Sequence, residues 1–237
     1  MDFLSKMKYS ISIVLPVYNE ESGLKSTLKG LVPILEKTFS NYEIIIVESG
    51  STDNSSKVAD EAAKKNKNIR VIHQGERKGY GNGIREGLKN CKKYISMYID
   101  CDNPYDFTYL KKAAKYIKEY DAVIGYKVGK RESIGRSILS KGAYFLNSLL
   151  FGLNVKDINY PFKMIKTSFV RKMVLNSNTS LIPIELLVGL RTQNAKIKEI
   201  KVPHKIRTEG KSKMGFSSMI IEHFVEIFRY FLLKRRN

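Results

Sequence analysis

The first hundred residues alternate short, almost wholly apolar runs with longer amphipathic ones, and this alternation constrains the fold more than any other feature. Strands that are apolar on both faces are typical of parallel sheets covered by helices on each side. The runs SIVLP, EIIIVE and ISMYID predict such strands, and a shorter strand is predicted at 70–73. The sequence therefore predicts an α/β fold with a mostly parallel sheet. The main strands are expected at 10–16, 43–48 and 94–100, and the helices at 22–37, 53–65 and 83–90.

The alternation loosens after about residue 125, although further elements are still predicted. The sequence contains no internal repeat and no low-complexity linker, so we expect one domain over residues 1–213 followed by an amphipathic C-terminal helix over 214–237. The later elements are a helix at 137–151, a strand near 162–165, a helix at 185–193 and a strand at 197–206.

The charge balance favours an anionic partner. The chain has 42 Lys and Arg residues against 23 Asp and Glu residues, a net charge of +19. Residues 121–237 carry +14 of this charge and residues 1–120 carry +5. A nucleic acid, a phosphorylated ligand and an acidic membrane surface all fit this balance, and the sign alone does not choose among them.

Cysteine usage and hydropathy favour the cytoplasm. Cys91 and Cys101 are ten residues apart, with no Cys-x-x-Cys pattern and no histidine at a metal-ligand spacing, which supports neither a disulfide framework nor a zinc site. The N-terminus lacks the apolar region of a signal peptide. No segment offers the roughly 20 uncharged apolar residues of a membrane span.

The strand predicted at 94–100 ends in two carboxylates, Asp100 and Asp102, where Asn103 and Pro104 prevent its continuation. Two carboxylates at this spacing beyond a strand end can converge on one hard cation, and Mg²⁺ and Mn²⁺ prefer such oxygen ligands. A solvated acidic turn is the alternative. The buried strand ahead of the pair and the polar motifs at neighbouring strand ends favour a metal site.

Two of those polar motifs follow the first two strands, in LPVYNEESGL (15–24) and IIIVESGSTDNSSKV (44–58). Asn19 and Ser22 are reasonable caps for the first helix, and hydroxyl-rich turns at helix starts suit polar or anionic ligands. Because the carboxyl ends of parallel strands share one edge of the sheet, we expect these turns to lie beside Asp100. A pair of capped helix starts without further function is the alternative.

A third motif, GERKGYGNGIREGL (75–88), is rich in glycine but does not fit the dinucleotide-binding spacing. Starting GxGxxG at Gly79 or Gly81 puts Ile84 or Glu86 at the last position, which disfavours a dinucleotide dehydrogenase. Lys78 can still meet a diphosphate as a point charge, or it is a solvated surface lysine.

Together these motifs resemble the inverting family 2 glycosyltransferases, which have a Rossmann-like GT-A fold. The segments VIGYKVGKRE, RSILSKGAYFLNSLLFGLNVKDINYPFK and VPHKIRTEGKSK are similar to its polyprenyl-phosphate branch. The resemblance implies a hexose transferred from a nucleotide sugar, GDP-mannose or UDP-glucose in type, to a polyprenyl or dolichyl phosphate. It implies that Asp100 and Asp102 hold Mg²⁺ or Mn²⁺ on the donor diphosphate. The residues implied to surround the nucleotide are Pro16, Tyr18, Glu20 and Glu48.

The basic second half fits an acceptor that is itself anionic. The resemblance implies that the acceptor phosphate contacts Lys127, Arg136, Ser140 and Arg207. Lys213 is expected to join these cations in offsetting the repulsion between two anions in one cleft. A lipid phosphate needs no general base, because it is already ionised at neutral pH.

Two other functions stay open on the sequence. A glycosyltransferase with a hydroxyl acceptor needs a general base, and Glu185 at the head of a predicted helix is the candidate. A basic module that binds nucleic acid is the non-enzymatic alternative, although no recognition motif is present and we expect no nucleic-acid partner.

The C-terminal segment has apolar residues at helical spacing followed by Lys234, Arg235 and Arg236. Such a helix can lie on the cytoplasmic face of an acidic membrane as a peripheral anchor. Packing in the core or in a dimer is an equal alternative, and the oligomeric state is not predicted.

Overall fold

The computed structural model describes residues 6–101, 105–128 and 148–203, together with the helical residues Ile227 and Tyr230. Its strands are β1 (Ile11–Val17), β2 (Tyr42–Glu48), β3 (Ile69–His73), β4 (Ile95–Tyr98), β5 (Ala122–Val128), β6 (Lys163–Lys166) and β7 (Ile197–Pro203). Its helices are α1 (Glu21–Thr38), α2 (Ser55–Lys65), α3 (Tyr80–Lys89), α4 (Tyr109–Ala114), α5 (Thr167–Val170) and α6 (Ile182–Thr192), with a 3₁₀ turn at Lys115–Lys118 and helical residues at 148–151.

The strands described form one sheet of seven in the order β3-β2-β1-β4-β6-β5-β7. β1 pairs in parallel with both β2 and β4, and β2 pairs in parallel with β3. β6 runs antiparallel between β4 and β5, whereas β7 is parallel to β5. The predicted mostly parallel α/β sheet is confirmed. The carboxyl ends of β1, β2 and β4 lie at one edge, as expected from the strand order.

Alternate residues of the central strands enter two hydrophobic cores on opposite faces of the sheet. Along β1, Ile13 and Leu15 pack with α1, α2 and α4, whereas Val14 packs with α3 and α6. All seven residues of β2 are buried, which explains the apolar run at 44–47 between its two glutamates.

Two helices begin three residues earlier than predicted, and two further elements were not predicted. Helix α3 begins at Tyr80 rather than at 83, because Gly79 takes up φ 96° and turns the chain into the helix. Helix α6 begins at Ile182 rather than at 185, with a proline in its first turn. Strand β5 and helix α4 were not predicted, because segments of seven and six residues are too short to show a clear period.

Two residues of the C-terminal segment are described, Ile227 and Tyr230, and both pack against the domain. Ile227 is buried in the core formed with α3 and α6, and the Tyr230 ring lies 5.5 Å from that of Phe151, centroid to centroid. The division at residue 213 and the basic end of the chain lie outside the described residues. Within the part of the chain that the structure describes, no helix combines the length and apolarity needed to cross a bilayer.

Candidate active site

A cleft of about 310 Å³ opens where β1 and β4 end and α3 begins. It combines two aromatic rings, two carboxylates and one guanidinium from three separate segments of the chain. Its described lining consists of Pro16, Val17, Tyr18, Glu20, Ser49, Arg77, Gly79, Tyr80, Asp100 and Cys101.

Four of the residues singled out from the sequence therefore meet in this cleft, namely Pro16, Tyr18, Glu20 and Asp100. Glu48, Lys78 and Lys127 are described but are not part of its lining. The other predicted site residues lie outside the described part of the chain: Asp102, Arg136, Ser140, Arg207 and Lys213.

The turns after β1 and β2 are tied to each other by hydrogen bonds. The Asn19 carboxamide oxygen, on a residue with φ 53°, accepts from the Thr52 backbone N–H at 2.8 Å. In return, Ser51 Oγ accepts from the Asn19 N–H at 3.1 Å and Ser55 Oγ accepts from the Glu20 N–H at 2.8 Å. Asn19 thus joins the two turns instead of capping α1 as predicted, and the hydroxyl-rich turn fixes Tyr18 and Glu20 at the rim.

Glu48 has a structural position beneath this rim. Glu48 is 3% exposed, and its carboxylate accepts from the Ser51 N–H at 2.5 Å and faces His73 Nδ1 at 3.3 Å. Burial favours the neutral form of Glu48, but hydrogen bonds from Ser51 and His73 outweigh it, so the pKa of this carboxyl is lowered. Glu48 is therefore an anion that holds the second turn from below.

His73 lies between two carboxylates, with Nε2 3.0 Å from Asp60 Oδ1 and Nδ1 3.3 Å from Glu48 Oε2. Burial alone would lower the pKa of His73, but Asp60 and Glu48 raise it above its ordinary value of 6.5. A raised histidine pKa stabilises the fold fully below about pH 6.5, and this contribution is lost as the pH rises through the folded pKa.

We therefore expect His73→Gln to destabilise the protein more at pH 5.5 than at pH 8.5. The difference should stay below about 1 kcal/mol, because the His73 side chain is 42% exposed and solvent screens the pair. Urea unfolding at the two pH values measures it. A larger deficit of the variant at pH 8.5 would contradict the assignment of His73 as a cation between two anions.

Asp100 faces Tyr80 across the cleft. The Tyr80 hydroxyl donates to Asp100 Oδ1 at 2.7 Å, and Tyr80 is 41% exposed. The Glu20 carboxylate lines the same cleft, so two anionic oxygen groups from β1 and β4 are available together. These hard oxygen donors fit a divalent ion such as Mg²⁺ or Mn²⁺ that takes its remaining ligands from a diphosphate or water. Among described residues, no three His, Cys, Asp or Glu side chains converge as a ready metal cage.

The polar lining residues Arg77, Tyr80 and Ser49 were not predicted from the sequence as site residues. The Arg77 guanidinium carbon lies 4.6 Å from the centroid of the Tyr18 ring, a cation–π contact. Arg77 is the only basic residue of the described lining, although the sequence pointed to its neighbour Lys78. The signal was present in the pair Arg77-Lys78 before Gly79, but the sequence does not tell which of the two faces the cleft.

Ser49 connects the cleft to a buried polar chain. Its hydroxyl lies 2.7 Å from Gln74 Oε1, and the Gln74 amide nitrogen donates to Asn82 Oδ1 at 2.6 Å. That nitrogen also donates to the Glu86 carboxylate, which can only accept, so Gln74 is fixed with its oxygen toward Ser49. The Ser49 proton is thereby committed to Gln74.

Lys127 lies near the end of β5 and its backbone N–H donates to Asp157 Oδ2 at 3.4 Å. The neighbouring strand carries Lys163, which is fully buried and donates to the Tyr160 carbonyl at 2.7 Å. Burial lowers the pKa of Lys163 to about 8, although Asp157 and Asp100 favour its charged form. Positive charge therefore lies behind the end of β4 as well as in the cleft.

Glu185, the candidate general base, does not line the cleft. It is 2% exposed, and its carboxylate accepts from the backbone N–H groups of Asn176 and Ser177. A base must reach the acceptor hydroxyl directly or through one water. The position of Glu185 therefore does not support the hydroxyl-acceptor alternative.

Sequence comparisons point to one enzyme family. The profile described as Glycosyl transferase family 2 matches residues 12–176, more than half of the chain. An undecaprenyl-phosphate 4-deoxy-4-formamido-L-arabinose transferase of Shewanella sediminis is 28% identical over 89% of this chain and 63% of its own length. A dolichol-phosphate mannosyltransferase of Pyrococcus furiosus is 27% identical over 92% of this chain and 63% of its own. A dolichyl-phosphate beta-glucosyltransferase of Trichomonas vaginalis is 28% identical over 91% and 71%.

This chain thus spans less than two thirds of the length of the first two of these relatives. Solved structures of glucosyl-3-phosphoglycerate synthase from Mycobacterium tuberculosis share the fold. One, in complex with Mn²⁺, UDP and glucosyl-3-phosphoglycerate, aligns with a TM-score of 0.68 at 19% identity, over 86% of this chain and 73% of that one. Another holds Mg²⁺ and UDP and aligns with a TM-score of 0.66 at 16% identity, over the same shares. These alignments identify the sheet and its helices as a GT-A fold.

Proposed function

Because this chain belongs to glycosyl transferase family 2, we propose that it is a glycosyltransferase that transfers a hexose from a nucleotide sugar to a polyprenyl phosphate. The observation that carries this proposal is the cleft at the ends of β1 and β4, where Asp100, Glu20 and Arg77 combine with the Tyr18 ring. The names of the relatives, which act on undecaprenyl and dolichyl phosphates, support the acceptor class. Family membership also favours an enzyme over the nucleic-acid-binding module.

The donor nucleotide is assigned to the Tyr18 side of the cleft, with its diphosphate between Arg77 and Asp100. The Tyr18 ring can stack on a flat base, and the Arg77 guanidinium beside it can bind a phosphate. Arg77 supplies the fixed positive charge on this side of the cleft. Ser49 offers the ligand acceptor lone pairs, since its proton is committed to Gln74. The other residues predicted to bind the donor contribute less directly. Glu48, for example, accepts a hydrogen bond from the Ser51 N–H and so supports the turn after β2.

Asp100 and Asp102 are the residues proposed to hold Mg²⁺ or Mn²⁺. When bound, such an ion neutralises the negative charge that develops on the departing nucleoside diphosphate. The protein contributes the orientation of the carboxylates, and Tyr80 fixes that of Asp100 through its 2.7 Å hydrogen bond. Glu20 keeps a second carboxylate within the same cleft.

The acceptor proposed is a lipid phosphate, which needs no base. One of its oxygens bonds to the anomeric carbon while the bond from that carbon to the diphosphate breaks, so the nucleoside diphosphate leaves with the electron pair and the configuration inverts. The buried position of Glu185 and the charge of +14 on residues 121–237 support this acceptor over a hydroxyl. The cations proposed to hold the phosphate are Lys127, Arg136, Arg207 and Lys213, with the hydroxyl of Ser140.

A direct transfer assay tests this function. The protein is incubated with Mn²⁺ or Mg²⁺, a nucleotide-sugar panel that includes GDP-mannose and UDP-glucose, and either a polyprenyl phosphate or the matched polyprenol. We expect glycosylated lipid only with the phosphate. Transfer to the polyprenol at a comparable rate would reject the phosphate acceptor, and no product with any donor would reject the activity.

The two neighbouring cations before Gly79 give a sharper test of the donor site. We expect Arg77→Ala to raise the KM for the donor about tenfold, since a charge-assisted contact contributes roughly 1.5–3 kcal/mol. Lys78→Ala should have the smaller effect, because Lys78 does not line the cleft. Steady-state kinetics with saturating acceptor measures both. An equal or larger effect at Lys78 would show that the diphosphate lies elsewhere.

We also propose that the protein acts at the cytoplasmic face of a membrane as a peripheral protein, because its acceptor is a lipid. The basic residues Lys234, Arg235 and Arg236 are the candidates for contact with acidic headgroups. Replacing all three with Gln should weaken sedimentation with phosphatidylglycerol vesicles about tenfold or more. Unchanged sedimentation would remove this end of the chain from the membrane contact.

A further inference from the structure

Glu185 is a buried carboxylate without a role in the transfer proposed above. It lies in the first turn of α6, where its oxygens accept from Asn176 N–H at 3.0 Å and from Ser177 N–H at 3.0 Å. Burial raises the pKa of Glu185, and the two backbone hydrogen bonds offset this only in part. Burying a carboxylate costs free energy unless it is hydrogen-bonded, so breaking these two bonds is unfavourable. The bonds therefore hold residues 176–177 against α6.

Residues 176–179 pack against the first turns of α3. The Asn178 carbonyl accepts from the Gly81 N–H at 3.0 Å. Arg85, one turn further along α3, donates to the Asn176 carbonyl at 2.7 Å and to Asn178 Oδ1 at 2.9 Å. Residues 176–179 therefore contact α3 through both backbone and side chains.

This contact accounts for two glycines of the motif that did not fit a dinucleotide site. A Cβ atom at Gly79 would lie 2.3 Å from the Asn178 carbonyl oxygen. A Cβ at Gly81 would lie 2.5 Å from the Thr179 carbonyl oxygen and 2.7 Å from that of Ser177. Only glycine allows the backbones to approach so closely.

The residue between those glycines reaches the cleft. Tyr80 donates to Asp100, and both Gly79 and Tyr80 belong to the lining. The segment that carries Tyr80 is thus held on its outer side by 176–179, which is in turn held by Glu185.

We propose that Glu185 is a positioning residue, which fixes residues 176–179 against Gly79 and Gly81 and thereby holds Tyr80 on Asp100. The proposal rests on the proposed function for what the cleft binds. The chain of contacts itself does not depend on the substrate.

Hydrogen exchange on the free protein tests the contact without any ligand. In Glu185→Ala we expect faster exchange in peptides that cover 79–83 as well as in those that cover 176–179, because the Gly81 N–H loses a fixed acceptor. Glu185→Gln should largely restore protection, since one amide oxygen can accept both N–H groups. Faster exchange confined to 176–179 would overturn the proposal. This result holds even if the protein transfers no sugar, so failure here is distinguishable from failure of the proposed function.

A double-mutant cycle tests the link to Asp100. The affinity for GDP and for UDP in the presence of Mn²⁺ is measured in wild type, Glu185→Ala, Tyr80→Phe and the double variant. We expect Glu185→Ala to weaken binding about tenfold in wild type and by much less in the Tyr80→Phe background. Effects that multiply fully would show that Glu185 does not act through Tyr80.

Two glycine variants test the proposal if Glu185→Ala fails to fold. In Gly81→Ala the added methyl group would clash with residues 177 and 179 from the α3 side, so hydrogen exchange at 176–179 should again be faster. Gly83→Ala is the matched control on the same helix, because its Cβ would have no neighbour closer than 3.6 Å. Equal exchange in the two variants would contradict the proposal.

Discussion

Asp100→Ala is expected to lower sugar transfer about 1,000-fold, which is on the order of 4 kcal/mol of transition-state stabilisation. Asp100 stands at the end of β4 with its carboxylate in the cleft, where charge develops on the leaving diphosphate in the proposed reaction. Removing the carboxylate removes one of the two side chains proposed to hold the divalent ion that would neutralise this charge. The rate under saturating donor and acceptor measures the loss.

Asp100→Asn is the matched variant, because its amide oxygen can still accept from the Tyr80 hydroxyl while the negative charge is gone. We expect its activity to be as low as that of the alanine variant, with an unchanged melting temperature. Wild-type turnover in the asparagine variant would mean that the charge of Asp100 has no part in the reaction.

The second large effect concerns the fold. Gly87→Ala should destabilise the protein by about 2 kcal/mol, a reduction of about 4–8 °C in melting temperature. A Cβ at Gly87 would lie 2.2 Å from Val14 Cγ1, so α3 cannot keep its distance from β1. This overpacking exceeds the gain of up to about 1 kcal/mol that alanine brings to a helix interior.

Thermal and urea unfolding measure this loss, with Gly83→Ala as the control for helix propensity on the same helix. The size swap Gly87→Ala with Val14→Ala should destabilise less than the sum of its parts, because the smaller residue at position 14 makes room for the added methyl group. Additive effects would show that Gly87 is not in contact with Val14.

The parallel half of the sheet was predictable because its strands share a regular hydrophobic pattern. β1, β2 and β4 are apolar on both faces and end in polar turns, and this pattern is specific to covered parallel strands. The short β6 was predicted as a strand, but its antiparallel pairing with β4 and β5 was not. The sequence of a four-residue strand does not indicate in which direction it pairs. That pairing depends on contacts distant in sequence.

The site was predictable only in part for a similar reason. Strand ends identified Tyr18, Glu20 and Asp100 as neighbours, since the carboxyl ends of parallel strands meet at one edge. Side-chain direction was not predictable, so Lys78 was chosen although Arg77 faces the cleft. Glu185 was a candidate base by its place at a helix start, whereas the structure buries it against 176–177.

The nature of the bond formed tests the central claim most directly. Phosphorus NMR of the lipid product, obtained with a polyprenyl phosphate and the donor that supports turnover, reports whether the sugar is on the phosphate. We predict that the phosphate monoester signal of the lipid is replaced by a phosphodiester signal as free nucleoside diphosphate accumulates. A lipid phosphate monoester signal that stays unchanged while the donor is consumed would contradict the claim.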